Sequence, residues 1–441
     1  MNRPQSSSPP SALDAALPKT NDSPRDSDGR FVRLVVFGDD WGRHPSSAQH
    51  LVRHLLPRYP VLWVNTIGTR MPRPTLEDAR RIVSKLRGWT WPGARGGPEW
   101  LAPRVIAPPM WPQFRARWQR RLNVRLVGGA VDRALGPRRQ GERRVAIAAM
   151  PLCADLVGRL AVDRWVYYCA DDLSEWPGLD GPLLRTMERR LIERADGLIA
   201  VSETLRRRLA TLGRDDAVLL THGVDLAHWR PADPLPAARG PHSVAAPEQS
   251  RLPDWWRSLS PPVLVFFGLV DRRLDFEWCR ALAGQAAGSG TLALVGPHQA
   301  PDPRLRSLPG VVLPGPLPYA DLPALAQAAD VLVRPYQDAA VTRAMQPLKL
   351  KEFLATGKPV VVRDLPSTRE WADAADVVSS VEQLTEAVRE RLRSGVTAEQ
   401  RRARERLKDE SWELKAARFE ASVLATLHAD PRMGRRPGTH L

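Results

Sequence analysis

Leu332-Val-Arg-Pro-Tyr336 and then Pro347-Leu-Lys-Leu-Lys-Glu-Phe-Leu-Ala-Thr-Gly-Lys-Pro-Val-Val-Val362 decide how this chain folds. An apolar run ends at Arg334, a loop reaches Pro347, and a short helix is expected from about Leu348 to Ala355. Proline suits the first helical turn, where its missing N–H costs nothing. Gly357 stops the helix, Lys358-Pro359 turns the chain, and a second apolar run begins at Val360. Two short buried strands joined through a helix are the unit of a parallel sheet covered on both faces.

Working outward, the same grammar repeats on both sides. In the second half, 263–268, 291–296, 311–313, 331–334 and 360–363 read as buried strands with helical stretches between them. In the first half, 31–38, 61–64, 105–106, 143–150, 165–169, 197–201 and 218–220 read as strands. Helices are expected over 48–56 and 183–195, and from an N-cap at Ser202 to about Leu212. The expected fold is α/β, two Rossmann-like parallel-sheet domains facing across a cleft, with C-terminal helices. The divisions are a disordered lead-in over 1–30, a first domain over 31–230, a Pro/Ala/Ser-rich linker over 231–262, a second domain over 263–400, packed helices over 401–427, and a disordered tail over 428–441. Ligands of such sheets sit beyond the carboxyl ends of the strands, so a cleft between two of them can hold one substrate on each side. The first strand ends in Gly38-Asp-Asp-Trp-Gly42, which is not the GxGxxG dinucleotide fingerprint.

Composition narrows the partners. A chain of 441 residues, 43% of them hydrophobic, can fill two interiors. No segment approaches the eighteen or so apolar residues of a membrane span, and the start of the chain has no secretory apolar core. The net charge of +16 suits nucleic acid, an anionic membrane or phosphorylated substrates, but no zinc-finger spacing, RNP-like run or basic tail focuses it on nucleic acid. Cys153, Cys169 and Cys279 have no metal-ligand spacing and fit a reducing, cytoplasmic setting as inert thiols. No metal site is expected.

The N–H groups at the start of the 348–355 helix can meet a diphosphate, which that end of a helix favours electrostatically. Lys349, Lys351 and Glu352 lie along it, and Glu352 can accept hydrogen bonds from the two hydroxyls of a ribose. Here the chain resembles the GT-B glycosyltransferases, in their GT4-like branch of exopolysaccharide and teichuronic-acid-type assembly, over about 32–424. The branch's P-x-K-x-x-E-x-x-A-x-G-x-P-V stretch is matched by Pro347, Lys349, Glu352, Ala355, Gly357, Pro359 and Val360. The resemblance implies that Glu352 binds the donor ribose and that the backbone of Gln346, Pro347 and Leu348 holds the diphosphate. Its G-x-x-x-x-R-x-D pattern falls on Gly268, Arg273 and Asp275. Arg273 is the favoured guanidinium for the leaving diphosphate and Arg272 the near alternative, with Arg334 a further candidate after a strand. Retaining members usually carry a sugar-contacting glutamate eight residues before the ribose glutamate. Ala344 stands there.

On the first-domain side, the loop after 165–169 carries Asp171 and Asp172, either of which could take a proton from an acceptor hydroxyl. Asp172 ranks first and Asp171 second. Asp40, His44, Ser47 and His50 form an acceptor-side cluster after the first strand, where the resembling W-G-x-x-P-S is matched by Trp41, Gly42, Pro45 and Ser46. His222 stands where the branch has the Asn of N-G-V-D, at the domain crossover. Trp89, Trp91, Trp100, Trp111, Phe114 and Trp118 gather with Arg115, Arg117, Arg120, Arg121 and Arg125, as either a headgroup-level surface or an aromatic core with a basic rim.

The resemblance implies a metal-independent enzyme with no cofactor. It would move a sugar from a UDP- or GDP-linked donor to a saccharide or polyprenyl-diphosphate-linked acceptor. The setting expected is the cytoplasm, at the inner face of the membrane if the aromatic cluster is a surface. A sugar-nucleotide epimerase or hydrolase, and a non-catalytic nucleotide-sugar-binding protein, are the competing expectations.

Overall fold

The computed structural model describes residues 29–42, 46–65, 102–230, 252–285 and 290–428. Strand β1, Val32–Gly38, is buried almost throughout, as a strand covered on both faces must be. It pairs in parallel with β2 (Val61–Asn65) and β4 (Arg143–Ala148). With β3 (Arg104–Ile106), β5 (Arg164–Cys169), β6 (Gly197–Ala200) and β7 (Val218–Leu219), the order is β3-β2-β1-β4-β5-β6-β7. The helix Ser47–Leu55 starts one residue earlier than expected because Ser46 caps it, accepting from Gln49 N. Helix Gly181–Arg194 likewise starts two residues early, on an Asp180 cap with Pro182 in its first turn. Ser202 caps the next helix as expected, accepting from Leu205 N.

The second domain repeats the plan with β8 (Val263–Phe267), β9 (Val270–Asp271), β10 (Thr291–Val295), β11 (His298–Gln299), β12 (Val311–Gly315), β13 (Val331–Arg334), β14 (Val360–Arg363) and β15 (Asp376–Val378). Six strands form one sheet in the order β12-β10-β8-β13-β14-β15, while β9 and β11 pair separately. At the carboxyl edge β8 and β10 approach so closely that a Cβ on Gly296 (φ 145°) would lie 1.7 Å from the Gly268 carbonyl oxygen. Only glycine can stand there. Helix Leu348–Ala355 has the expected bounds, but Pro347 is its extended cap residue (φ −75°, ψ 98°) and not its first helical residue.

The chain crosses between domains twice, side by side. The first crossing runs through Thr221 to Asp225; the second returns at Glu410 to Trp412, with Val224 N donating to Glu410 O at 2.8 Å and Trp412 N to Val224 O at 3.3 Å. Helix Trp412–His428 then packs into the first domain's core, where Trp412, Ala416, Phe419, Val423 and Leu427 join the residues around β1 and β5. Glu410 fastens the crossing: Lys415 Nζ reaches its carboxylate at 2.7 Å, and Lys351 from the second domain pairs with the same oxygen. Lys351 also donates to the His222 carbonyl at 2.5 Å. The lead-in to 28, the linker over 231–251 and the tail over 429–441 lie outside the described residues.

Candidate active site

Helix Leu348–Ala355 points its start at the carboxyl edge of the second sheet because β13 leads into it and β14 follows it. Glu352 on its inner face is 1% exposed. Lys349 Nζ pairs with Glu352 Oε2 at 2.9 Å, and a carboxylate with one such partner can still accept further hydrogen bonds. Burial raises the proton affinity of the carboxyl, opposed by Lys349, His228 and Arg334. Arg334 is 5% exposed, with Nη1 buried and unpartnered; burial weakens its hold on the proton. Gln346, 3% exposed, has an unpartnered Oε1. Buried polar atoms are normally satisfied, and each unpaired one costs about 1–3 kcal/mol. Arg334, Tyr336, Met345, Pro347 and Arg363 line a shallow pocket at this edge. Beside it Tyr319 stacks on His228 (centroids 4.3 Å), with Lys349 Nζ 5.7 Å from the Tyr319 ring.

Arg273 and Arg272 part company. Arg272 is exposed, whereas Arg273 is buried and fixed through Nε and Nη2 by Asp271, at 3.0 and 2.9 Å. Its guanidinium carbon lies 4.4 Å from the ring centre of Trp176, a first-domain residue, and 5.4 Å from that of Tyr336. Gly268 follows β8 next to this loop, and Asp275 caps helix Phe276–Gln285 while pairing with Arg363 at 2.6 Å.

The two first-domain acids also separate. Asp172 accepts from Ser174 N and Oγ (3.1 and 2.6 Å) and pairs with Arg208 Nε at 3.0 Å. Arg208 also holds Glu188. The oxygens of Asp172 are thus spent on a turn cap and an ion pair with Arg208. Asp171 stands in the field of Arg273, across the cleft; burial pushes its pKa up to about 7, with Arg273 opposing and Asp172 reinforcing the rise.

The remaining candidates scatter. Asp39, not Asp40, organises the loop after β1, accepting from Ser46 Oγ (3.2 Å) and Gln49 Nε2 (3.3 Å); Asp40 contributes its backbone carbonyl to Gln49. Ser47 is buried. His50 stacks on Trp412 at 4.6 Å, and its ring lies 6.4 Å from that of Tyr319; its Nε2 is unpartnered. Burial holds His50 and His222 down to about 3, so both rings are neutral. His222 lies buried at the crossover with Nδ1 unpartnered. His44 and Pro45 fall outside the described residues, as do Trp89, Trp91 and Trp100. Trp111 and Trp118 form a surface pair, 41% and 57% exposed with centroids 5.6 Å apart, while Phe114 is core. Ala344 is buried against the first domain, and its carbonyl accepts from Ser202 Oγ at 2.7 Å. Among the described residues no three His, Cys, Asp or Glu side chains gather as metal ligands, and all three cysteines are buried and free. Sequence reasoning missed Asp271, Trp176, Tyr319 and Tyr336. Asp271 alone carried a local signal, a carboxylate two residues before the favoured arginine.

Residues 261–394 match the family described as glycosyl transferases group 1. Among curated proteins, the chain is 30% identical over 193 residues to TuaH of Bacillus subtilis, which is named provisionally as a teichuronic acid biosynthesis glycosyltransferase. The match covers 42% of this chain and spans less than half, 45%, of that relative. Sucrose-phosphate synthase from Thermosynechococcus elongatus superposes with TM-score 0.61 at 16% identity, over 90% of this chain and 100% of that one. HepE of Anabaena, in a structure with UDP and glucose, superposes with TM-score 0.61 at 14% identity, over 89% of this chain and 99% of that one. The second domain is thus similar to the group 1 glycosyl transferases, and the two facing parallel sheets form a GT-B fold.

Proposed function

We propose that the protein moves a sugar from a nucleoside-diphosphate donor to a saccharide or lipid-linked saccharide acceptor in cell-surface polysaccharide synthesis. The carrying observation is Glu352: a carboxylate 1% exposed and paired with Lys349, on a helix whose start shares a pocket with Arg334, whose Nη1 has no partner. Hydroxyls would satisfy the one and a phosphate the other, and a nucleoside diphosphate offers both. The naming of the Bacillus relative supports the polysaccharide class, and the Anabaena protein's structure with UDP-glucose supports a UDP-linked donor.

In the reaction, the bond from anomeric carbon to diphosphate oxygen breaks and one to the acceptor oxygen forms. Asp171 receives the hydroxyl proton, and Arg273, Arg334 and the start of the helix meet the charge growing on the leaving diphosphate. As the diphosphate claims Arg273, the guanidinium's hold on Asp171 weakens and the carboxylate becomes a better base. The acceptor would enter from the first domain, by the loop after β1 and His50. Among the described residues no helix is long and apolar enough to cross a membrane. We propose that exposed Trp111 and Trp118, beside Arg115, Arg117, Arg121 and Arg125, rest on the anionic inner leaflet. Flotation with anionic liposomes at modest salt tests this; recovery wholly in the unbound fraction refutes it.

Titration calorimetry with UDP and GDP tests the donor site. Glu352→Ala should weaken the preferred nucleotide by about tenfold to a hundredfold, the worth of hydrogen bonds to a charged acceptor. Unchanged affinity in the variant would remove the assignment. Ala344, in place of the sugar-reading carboxylate, favours a second reading as a nucleotide-sugar-binding protein; nucleotide binding without transfer or donor cleavage would decide for it.

A further inference from the structure

We infer that Trp176 is a positioning residue that ties closure of the cleft to the orientation of Arg273, an inference resting on the proposed role of Arg273 at the diphosphate. Trp176 follows the short turn Leu173–Glu175, and that turn is rigid because Asp172 caps it and is anchored by Arg208. The same segment carries Asp171 at one end and Trp176 at the other. The surroundings of Arg273 divide by domain. Asp271, Tyr336 and Met345 belong to its own domain and accompany it in any arrangement. Trp176 and Asp171 come from the other domain and meet it only across a closed cleft.

Asp271 occupies Nε and Nη2, leaving Nη1 against Met345 Sδ at 3.4 Å. A thioether is a weak acceptor, so this N–H is aimed by packing and available to a phosphoryl oxygen. The indole face, at 4.4 Å, is closer than the tyrosine face at 5.4 Å. It pins the guanidinium plane and removes water from it, which strengthens the pull of the arginine on a nearby anion. Contacts of helix Ala340–Ala344 with the first domain, including Ser202 Oγ to Ala344 O, bring the cleft together at the same edge. Closure therefore converts Arg273 from a hydrated group into a dry, oriented one, and its benefit falls on turnover more than on nucleotide binding.

The test uses the full chain with Trp176→Leu, Trp176→Phe, Arg273→Ala and the Leu/Ala double variant. Consumption of UDP- and GDP-sugars from a panel is measured beside UDP affinity and the radius of gyration in solution. Trp176→Leu should lower kcat by about tenfold to thirtyfold, leave KM and UDP affinity within about threefold, and enlarge the unliganded radius of gyration. Trp176→Phe, which keeps a ring face, should stay within about threefold of the unmodified chain throughout. The Leu substitution should add no further loss in the Arg273→Ala background. An unchanged kcat, an equal loss in that background, or an effect confined to KM overturns the inference. If the unmodified chain consumes no donor, the transferase reading falls instead. The scattering series then decides: an unchanged radius in Trp176→Leu overturns the closure contact.

Discussion

Asp171 and Asp172 are neighbours in sequence with opposite fates. With a pKa of about 7, Asp171 ionises over the range where a base is most useful. A base must be unprotonated, so kcat/KM, which reports the donor-free protein, should rise with pH through about 7 and level off above it. Asp171→Asn should lose about a hundredfold to ten-thousandfold in kcat and flatten that rise, as a pH–rate series with donor and acceptor would show. Asp172→Asn strips a carboxylate from Arg208 instead, costing about 3 kcal/mol of stability, visible as a lower melting temperature with the pH profile retained. Adjacent acids at a strand end cannot be told apart by sequence pattern, because the choice depends on Arg208, thirty-six residues on, being held by Glu188. The helix that carries Glu352 was legible for the opposite reason: its cap and its stop lie within a dozen residues of each other.

At the scale of elements, the short-range signals were legible where one residue type settles the geometry. Pro347 and Gly357 bracket the helix between them, with Gly357 at φ 77° beyond its end. Gly296 is the same kind of residue at a strand end: Gly296→Ala should cost at least about 3 kcal/mol in urea unfolding, since the added carbon meets backbone that cannot move aside. Ala344 was legible only as a missing carboxylate. What the sequence hid is that helix Ala340–Ala344 turns this position into the first domain's apolar cluster. Ala344→Glu should accordingly fail to raise turnover and should lower the melting temperature, because it buries a charge without a partner. The contacts of Trp176 and Tyr319 were unreadable because they arise between segments about ninety residues apart, where periodicity carries no information.

For the whole molecule, two facing parallel sheets followed from the strand spacing, but the path of the chain between them did not. The 401–427 stretch reads as apolar at helical spacing, and nothing in that spacing says which domain it covers. It covers the first. A chain ended at Glu410 should therefore lose the first domain's cooperative melting, even though that domain's seven strands are intact, and circular dichroism on heating would show it. Glu410→Gln, which weakens the hold of Lys351 and Lys415, should leave the sheets folded and loosen the crossing, seen as faster amide exchange around Thr221 to Val224.

The paired crossings at Val224 and Ser411 have a consequence for how such a molecule can be taken apart and rebuilt. Followed from end to end, the first domain is discontinuous and the second is a single cassette, entered and left through one doorway about as wide as two hydrogen-bonded strands. A cassette of that kind can be exchanged as a unit, entry and exit together, without reopening the host's core. It can swing on its doorway but has little freedom to slide. Residues 225–410 can then be replaced as one piece while the first domain, its closing helix included, stays as it is.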